Sequence, residues 1–395
     1  MRSAMTQKGN THDAGASPAD SLPSPGPLAP KKNRPGPEGM RGFMIRLRTL
    51  AVGTIGGYCG YRLGIPLGWL LGAMIATIPL SIAGVDMRSF RKPRLVMIAV
   101  IGLMVGSAFT PEVAARIPDW WPSLLGVLLY VVIVALVSIA VCWRLGAMTP
   151  ATAAFAGMPG GLSEMVIIGP VMGADVRSVS LVHGTRLVVL IAMTPTLLAV
   201  FGLIGSGAGD GVSRAIQWFP SISLFDVALL SACAVIGFLI AKKIRLPAGN
   251  LTGPLILSAL VHVTGITDAH IPDALLAAAQ IVIGSVIGQH FAGIARRVLL
   301  TGLLLGALLT VFSMALAGGF AFAFEQLLGV PFAIGLLSLV PGGLPEMSLI
   351  AITLDADPAF VSLHHLARVV LILITAPVLI PLWVRRLEKR RIARG

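Results

Sequence analysis

From about residue 47 to residue 384 the chain alternates long apolar runs with short polar turns. Residues 123–142 and 298–321 carry no charge, with arginine only at their edges. A helix of about 20 apolar residues spans the hydrocarbon core of a bilayer, so these runs predict membrane helices. The first run begins near Leu50, after a long polar arm, and reads as a membrane helix rather than a cleaved signal. Residues 1–46 are rich in Pro, Ser, Gly and basic side chains and show no apolar period, which predicts a disordered cytoplasmic arm. The expected fold is an all-α polytopic membrane protein.

The apolar region is duplicated. Gly157–Pro195 aligns with Leu339–Pro377 at an offset of 182, with 16 of 39 positions identical, which chance does not produce. Pro159-Gly160-Gly161-Leu162-x-Glu164-Met165 matches Pro341-Gly342-Gly343-Leu344-x-Glu346-Met347. Val179-Ser180-Leu181-x-His183-x-x-Arg186 matches Val361-Ser362-Leu363-x-His365-x-x-Arg368. Weaker matches upstream extend the repeats to 47–204 and 224–384, joined by a linker at 205–223 and followed by a basic tail at 385–395.

Loop charges set the relative orientation, because basic loops stay cytoplasmic. The loop with Asp86, Arg88, Arg91, Lys92 and Arg94 is expected inside, and its counterpart with Asp268 and Asp273 outside. Likewise the loop with Glu112, Arg116 and Asp119 is expected outside, and Arg296 and Arg297 inside. Each comparable loop changes sides, which predicts inverted repeats. Inversion requires an odd number of crossings per half. Each repeat is therefore read as five transmembrane helices plus a re-entrant hairpin broken at Pro159–Gly161 or Pro341–Gly343. If the Pro-Gly-Gly segments cross instead, there are twelve crossings and parallel repeats.

Composition narrows the function. The chain is 56% hydrophobic and 12% charged, against about 25% charged in soluble domains. Its net charge of +13 sits in the arm, the loops and the tail. That fits cytoplasmic segments against an anionic leaflet better than nucleic-acid binding, and no direct nucleic-acid contact is expected. The three cysteines, Cys59, Cys142 and Cys233, are isolated in apolar segments and have no metal-site spacing, so neither metal nor other cofactor is expected.

The candidate chemistry lies in the repeat. Proline followed by two glycines breaks a helix and leaves N–H groups at the start of the next one, where an anion binds well. Glu164 and Glu346 fall in that first turn, as caps or as coupling carboxylates. His183 and Arg186 share a helix face, as do His365 and Arg368. Arginine can hold an anion while histidine relays a proton. The same residues can also be a fixed Glu–Arg link with a hydrogen-bonded histidine. The candidate substrate-binding and coupling set is Pro159, Gly160, Gly161, Glu164, His183, Arg186, Pro341, Gly342, Gly343, Glu346, His365 and Arg368. His364, whose counterpart is Val182, is less attractive, and Gln289 and His290 read as a polar helix end.

The doubled Pro-Gly-Gly-x-x-Glu-Met and His-x-x-Arg pattern resembles the bacterial AbrB-type membrane proteins, over about residues 45–385. Their members carry the labels AbrB-family regulator and ammonia monooxygenase. The resemblance implies a multi-pass inner-membrane protein, and the basic arm and tail are expected to place both termini in the cytoplasm. A monooxygenase would need a redox metal among clustered ligands, and the paired arginines disfavour a cation. The expected function is a secondary transporter or exporter of a small anionic or zwitterionic metabolite, coupled to protons. The alternative is a membrane regulator that affects gene expression indirectly. The expected partners are the lipid bilayer and a small-molecule substrate, with a homo-oligomer left open.

Overall fold

The computed structural model describes residues 39–160, 165, 169–202, 218–291, 296–354 and 356–392. The arm up to residue 38, most of the linker, and Gly161 and Glu164 thus lie outside the described residues. Residues from Phe43 onward form one compact unit. Its regular elements, among the described residues, are all helical.

The first half runs through α1 (Met40–Arg62), α2 (Gly68–Ile82), α3 (Arg91–Gly106), the short α4 (Pro111–Arg116), a 3-10 turn (Ile117–Trp120), α5 (Trp121–Arg144), α6 (Pro150–Gly157) and α7 (Val176–Val200). The second half runs through α8 (Leu224–Lys243), α9 (Gly249–Val263), α10 (Asp273–Gln289), α11 (Arg296–Leu328), α12 (Phe332–Leu339), α13 (Leu344–Thr353) and α14 (Pro358–Ile392). Caps set several of these starts. Thr110 accepts from Val113 N, Asp175 from Arg177 N and Ser178 N, and Ser223 from Asp226 N.

Among the described residues, five segments are long and apolar enough to cross a membrane: Pro111–Arg144, α7, α8, Leu300–Leu328 and Pro358–Ala376. The sequence pattern suggests five such helices in each half. The other five are α1, which is 23 residues long but interrupted by Arg41, Arg46 and Arg48, and α2, α3, α9 and α10, and these last four have only 15 to 17 residues. At 1.5 Å per residue they reach only about 23–26 Å, less than the roughly 30 Å of a hydrocarbon core.

The short helices pack across the repeat. Helix α2 lies against α10, and α3 lies against α9. Glycines make the closest approaches. A Cβ at Gly72 would meet the backbone of Gly56, and one at Gly253 would meet the backbone of Gly237. A Cβ at Gly102 would strike Leu251 O, and one at Gly284 would strike Leu70 O. These contacts recur at the repeat offset of 181–182 residues. Small residues let membrane helices approach this closely, and any side chain would hold them apart.

The long helices differ in what surrounds them. Most of α7 and α14 is covered by protein, while α5 and α8 turn most of their surface outward. The outward positions are apolar, including Phe225, Val235, Leu239, Leu125, Leu129 and Leu136. The polar members of the repeat, His183, Arg186, His365 and Arg368, belong to the two covered helices and are all buried. An apolar exterior around a polar interior is the arrangement a bilayer selects.

Candidate functional site

The second-half site is described in full. Helix α12 ends at Leu339, Val340 to Gly343 form a non-helical break, and α13 restarts at Leu344. Pro341 and Gly342 are buried. Arg368, on α14, is 1% exposed and reaches back to this break. Its Nη1 donates to Val340 O at 2.9 Å, and its Nη2 donates to Gly342 O. Its Nε has no hydrogen-bond partner. The arginine therefore caps the carbonyl end of α12, where the helix dipole favours a cation. His365, one turn earlier, donates from Nε2 to Leu337 O at 2.8 Å. Its Nδ1 is buried without a partner.

Glu346 lies in the first turn of α13, and its carboxylate folds back over Gly343, the residue before that helix. A side chain at Gly343 would collide with it. This glycine is thus required for close approach, and the carboxylate sits at the positive end of its own half-helix.

The first-half site repeats the arginine and departs at the histidine. Helix α6 ends at Gly157, and Met158, Pro159 and Gly160 leave the helix. Arg186 Nη1 on α7 donates to Met158 O at 3.0 Å, the counterpart of Val340 O. A side chain at Gly160 would touch Met165 and, from the other half, Ile372 on α14. Gly161 and Glu164 complete this motif and lie outside the described residues. Among the described residues, no carbonyl accepts from His183 as Leu337 O does from His365, and the His183 Nε2 is buried without a partner. It instead lies within electrostatic range of His290, at the end of α10, and of Arg186. The Nδ1 of His290 is likewise buried without a partner, and His290 feels the charge of Arg94. Gln289 has a structural contact: its Oε1 accepts from Ser89 N at 3.1 Å, tying the basic loop before α3 to the end of α10.

The two sites meet. Arg186 and Arg368 act electrostatically on each other, and both act on the fully buried Tyr130 of α5. Tyr130 Oη donates to Ser313 O on α11 at 2.9 Å. The repeat comparison misses Tyr130, because its counterpart is Phe312. Its signal in the sequence is a tyrosine, one of three in the chain, within an uncharged run. His364, set aside on sequence grounds, is also fully buried, with both ring nitrogens hydrogen-bonded.

A guanidinium carries five N–H donors, so two of them near one another can hold an anion as well as their backbone carbonyls. A cavity of about 570 Å³ lies between α7, α11 and α12 and is lined by apolar side chains such as Leu197, Phe201, Met314 and Phe332 with Glu325, and neither arginine is among its lining residues. Among the described residues, no three His, Cys, Asp or Glu side chains gather in a way that could hold a metal ion.

Comparison with known proteins finds the family described as "Transition state regulatory protein AbrB", which matches residues 69–384. The chain is 30% identical over 319 residues to "Putative regulator AbrB" of Escherichia coli (strain K12), covering 79% of this chain and 89% of that protein. It is 26% identical over 353 residues to "Uncharacterized protein YhjN" of Bacillus subtilis (strain 168), covering 83% of this chain and 90% of that one. No solved structure is significantly similar to the chain.

Proposed function

The chain belongs to the AbrB family, which spans its helical core, and on that premise we propose that it is a secondary transporter or exporter of a small anionic or zwitterionic metabolite in the bacterial inner membrane. The observation that carries this reading is that Arg186 and Arg368, two buried cations contributed by the two repeats, lie within electrostatic range of each other and of Tyr130. Buried charges are costly and are concentrated on substrate paths in membrane proteins.

In this reading the repeats are inverted, both termini are cytoplasmic, and the Pro-Gly-Gly breaks are the tips of re-entrant hairpins entering from opposite faces. The exchange of loop charge between halves supports it, as do the glycine contacts that pair α2 with α10 and α3 with α9. The free guanidinium donors and the N–H groups after each break bind the anion. His183, His365, Glu164 and Glu346 couple the proton. Rocking one repeat against the other exposes the arginines to each side in turn.

The test is flux in proteoliposomes, with panels of small carboxylates and amino acids and a pH-sensitive dye. We expect substrate-dependent flux that falls at least tenfold in Arg186→Gln and Arg368→Gln while the protein remains folded. The printed name of the Escherichia coli relative favours a second reading, a membrane regulator that uses the same pocket as a sensor. A ligand-dependent change in gene expression without flux would select it.

A further inference from the structure

The cavity between α7, α11 and α12 faces the surroundings of the helical core rather than its polar interior. Its floor is the buried Leu198, Met314 and Leu336, and its rim includes Phe201 and Val311, which are 68% and 51% exposed. That rim continues an outward apolar strip of α11 formed by Leu300, Leu304 and Leu308. The mouth therefore opens where the helix meets lipid. Apart from Glu325 the lining is apolar, and its volume of about 570 Å³ is that of a ligand pocket, for which about 300–1,000 Å³ is usual. From Val311 to Glu325 the lining runs about 21 Å along α11, at about 1.5 Å per residue. One leaflet is about 15 Å deep, half of a hydrocarbon core of roughly 30 Å. Glu325 stands in the last turn of α11, which ends at Leu328, so the one charge lies at the end of the slot nearest a membrane surface.

Duplication does not account for this slot. At the repeat offset of 182, Gly318 stands opposite Leu136, Glu325 opposite Trp143 and Phe201 opposite Trp383. The Trp143 and Trp383 rings meet edge to face, with centroids 5.6 Å apart at 82°. Two indoles thus fill the position that a phenyl ring and a carboxylate hold in the other half. Gly318 helps keep the slot open, since a Cβ there would meet only Phe332 Cζ within 4 Å, at 4.0 Å. Glu325 has one structural duty, because its Oε1 accepts from Phe332 N at 3.2 Å at the start of α12. A neutral glutamine could make that bond equally well, and a carboxylate has further acceptor capacity. A carboxylate at the head of an apolar slot complements a ligand with a cationic head on an apolar chain.

We propose that this cavity is a lipid site, which holds an acyl chain of an amine-headed phospholipid from the bilayer while the headgroup ammonium donates to the Glu325 carboxylate. The chain lies along α11 from Glu325 toward Val311, and α7 and α12 close its sides. Helix α7 belongs to the first repeat and α11 and α12 to the second, so the lipid fills a seam between the repeats. The site needs neither flux nor the buried arginines and does not rest on the transport reading. Within that reading, it puts a bilayer component where one repeat rocks against the other.

The experiment is native mass spectrometry of the full chain released from nanodiscs that hold equal amounts of phosphatidylethanolamine and phosphatidylglycerol with matched acyl chains. The expected result is one tightly held phosphatidylethanolamine per chain, favoured about fivefold over phosphatidylglycerol, the order of one partly exposed charge pair. Glu325→Gln keeps an acceptor for Phe332 N and should abolish that preference. Gly318→Leu installs the side chain of the other repeat where a Cβ has room, and it should displace the tightly held lipid. Ala315→Leu, one turn away on the same wall, is a second filling variant, and thermal unfolding in detergent checks that each variant is folded. A wild type that retains no lipid, a headgroup preference unchanged in Glu325→Gln, or retention unchanged in the filled variants overturns the proposal. So does a lipid-free dimer that the filling variants dissociate, because a second copy would then be the occupant. Loss of the lipid site leaves the transport reading standing, and a protein without flux that still holds the lipid sinks the transport reading alone.

Discussion

The two halves share an arginine and differ at the histidines around it. Arg186 and Arg368 each cap the carbonyl end of a broken helix, through Met158 O and Val340 O at corresponding positions. Around them the repeats diverge. His365 is tied to Leu337 O, while His183 lies near His290, and His364 with its Ser123 partner has no first-half equivalent. The repeated contacts hold the breaks in place. The unrepeated ones distinguish one half from the other. In the transport reading proposed above, such differences would let the centre distinguish its two faces.

The largest effect that can break this comparison is loss of an arginine. Arg368→Ala removes two charge-assisted bonds to carbonyls, and we expect it to cost about 4 kcal/mol, against about 2 for Arg186→Ala with its one described bond. Thermal unfolding in detergent measures both, and an equal loss would mean the two arginines are held alike. Next come the glycine crossings. Gly72→Ala and Gly253→Ala each press a methyl group onto the partner helix backbone, and each should cost about 1–3 kcal/mol, to the same extent in both halves. A mutation tolerated on one side only would break the pseudo-symmetric packing.

The histidines sharpen the difference. His365→Ala loses a bond to Leu337 O and strands that carbonyl, so it should destabilise by about 1 kcal/mol more than His183→Ala. The smallest effect is at the helix caps. Burial raises the Asp175 carboxyl, but bonds from Ser178 and from the Arg177 amide outweigh it and hold it below the usual carboxylate range. A depressed carboxylate stabilises above its unfolded value near pH 4 and loses that contribution as pH falls through its folded value. Asp175→Ala should therefore cost about 1 kcal/mol at neutral pH and progressively less in acid. Asp357 caps α14 from a left-handed conformation at φ +35, which glycine prefers, so Asp357→Gly should stay within about 0.5 kcal/mol of wild type. Chemical or thermal unfolding at pH 7 and pH 4 separates the two.

Much of the skeleton is legible in the sequence, because it depends on local rules. Apolar runs announce helices, prolines and glycines announce their breaks, and a duplicated motif identifies Arg186 with Arg368 before any contact is seen. The lengths of α2, α3, α9 and α10 are less legible. Loop chemistry such as Gly64-Ile65-Pro66 and Pro247-Ala248 trims them, and apolar composition alone does not show the trimming. The partners of the site are the least legible. Tyr130 and Ser123 belong to a helix whose other residues read as lipid-facing, and only tertiary packing brings them to Arg368 and His364. Comparing the repeats finds what duplication preserved. It passes over Tyr130, His290 and His364 because each stands opposite an unlike residue.

The central claim is that the two repeats are inverted and meet at the arginines, and membrane topology tests it most directly. Single cysteines at Lys92→Cys and Asp268→Cys, in a background lacking Cys59, Cys142 and Cys233, would be challenged in intact cells with a membrane-impermeant thiol reagent. Inverted repeats predict labelling at position 268 and none at position 92 until the membrane is permeabilised. Labelling of both positions from the same side would contradict the account, because the repeats would then be parallel and the two Pro-Gly-Gly breaks would no longer enter from opposite faces.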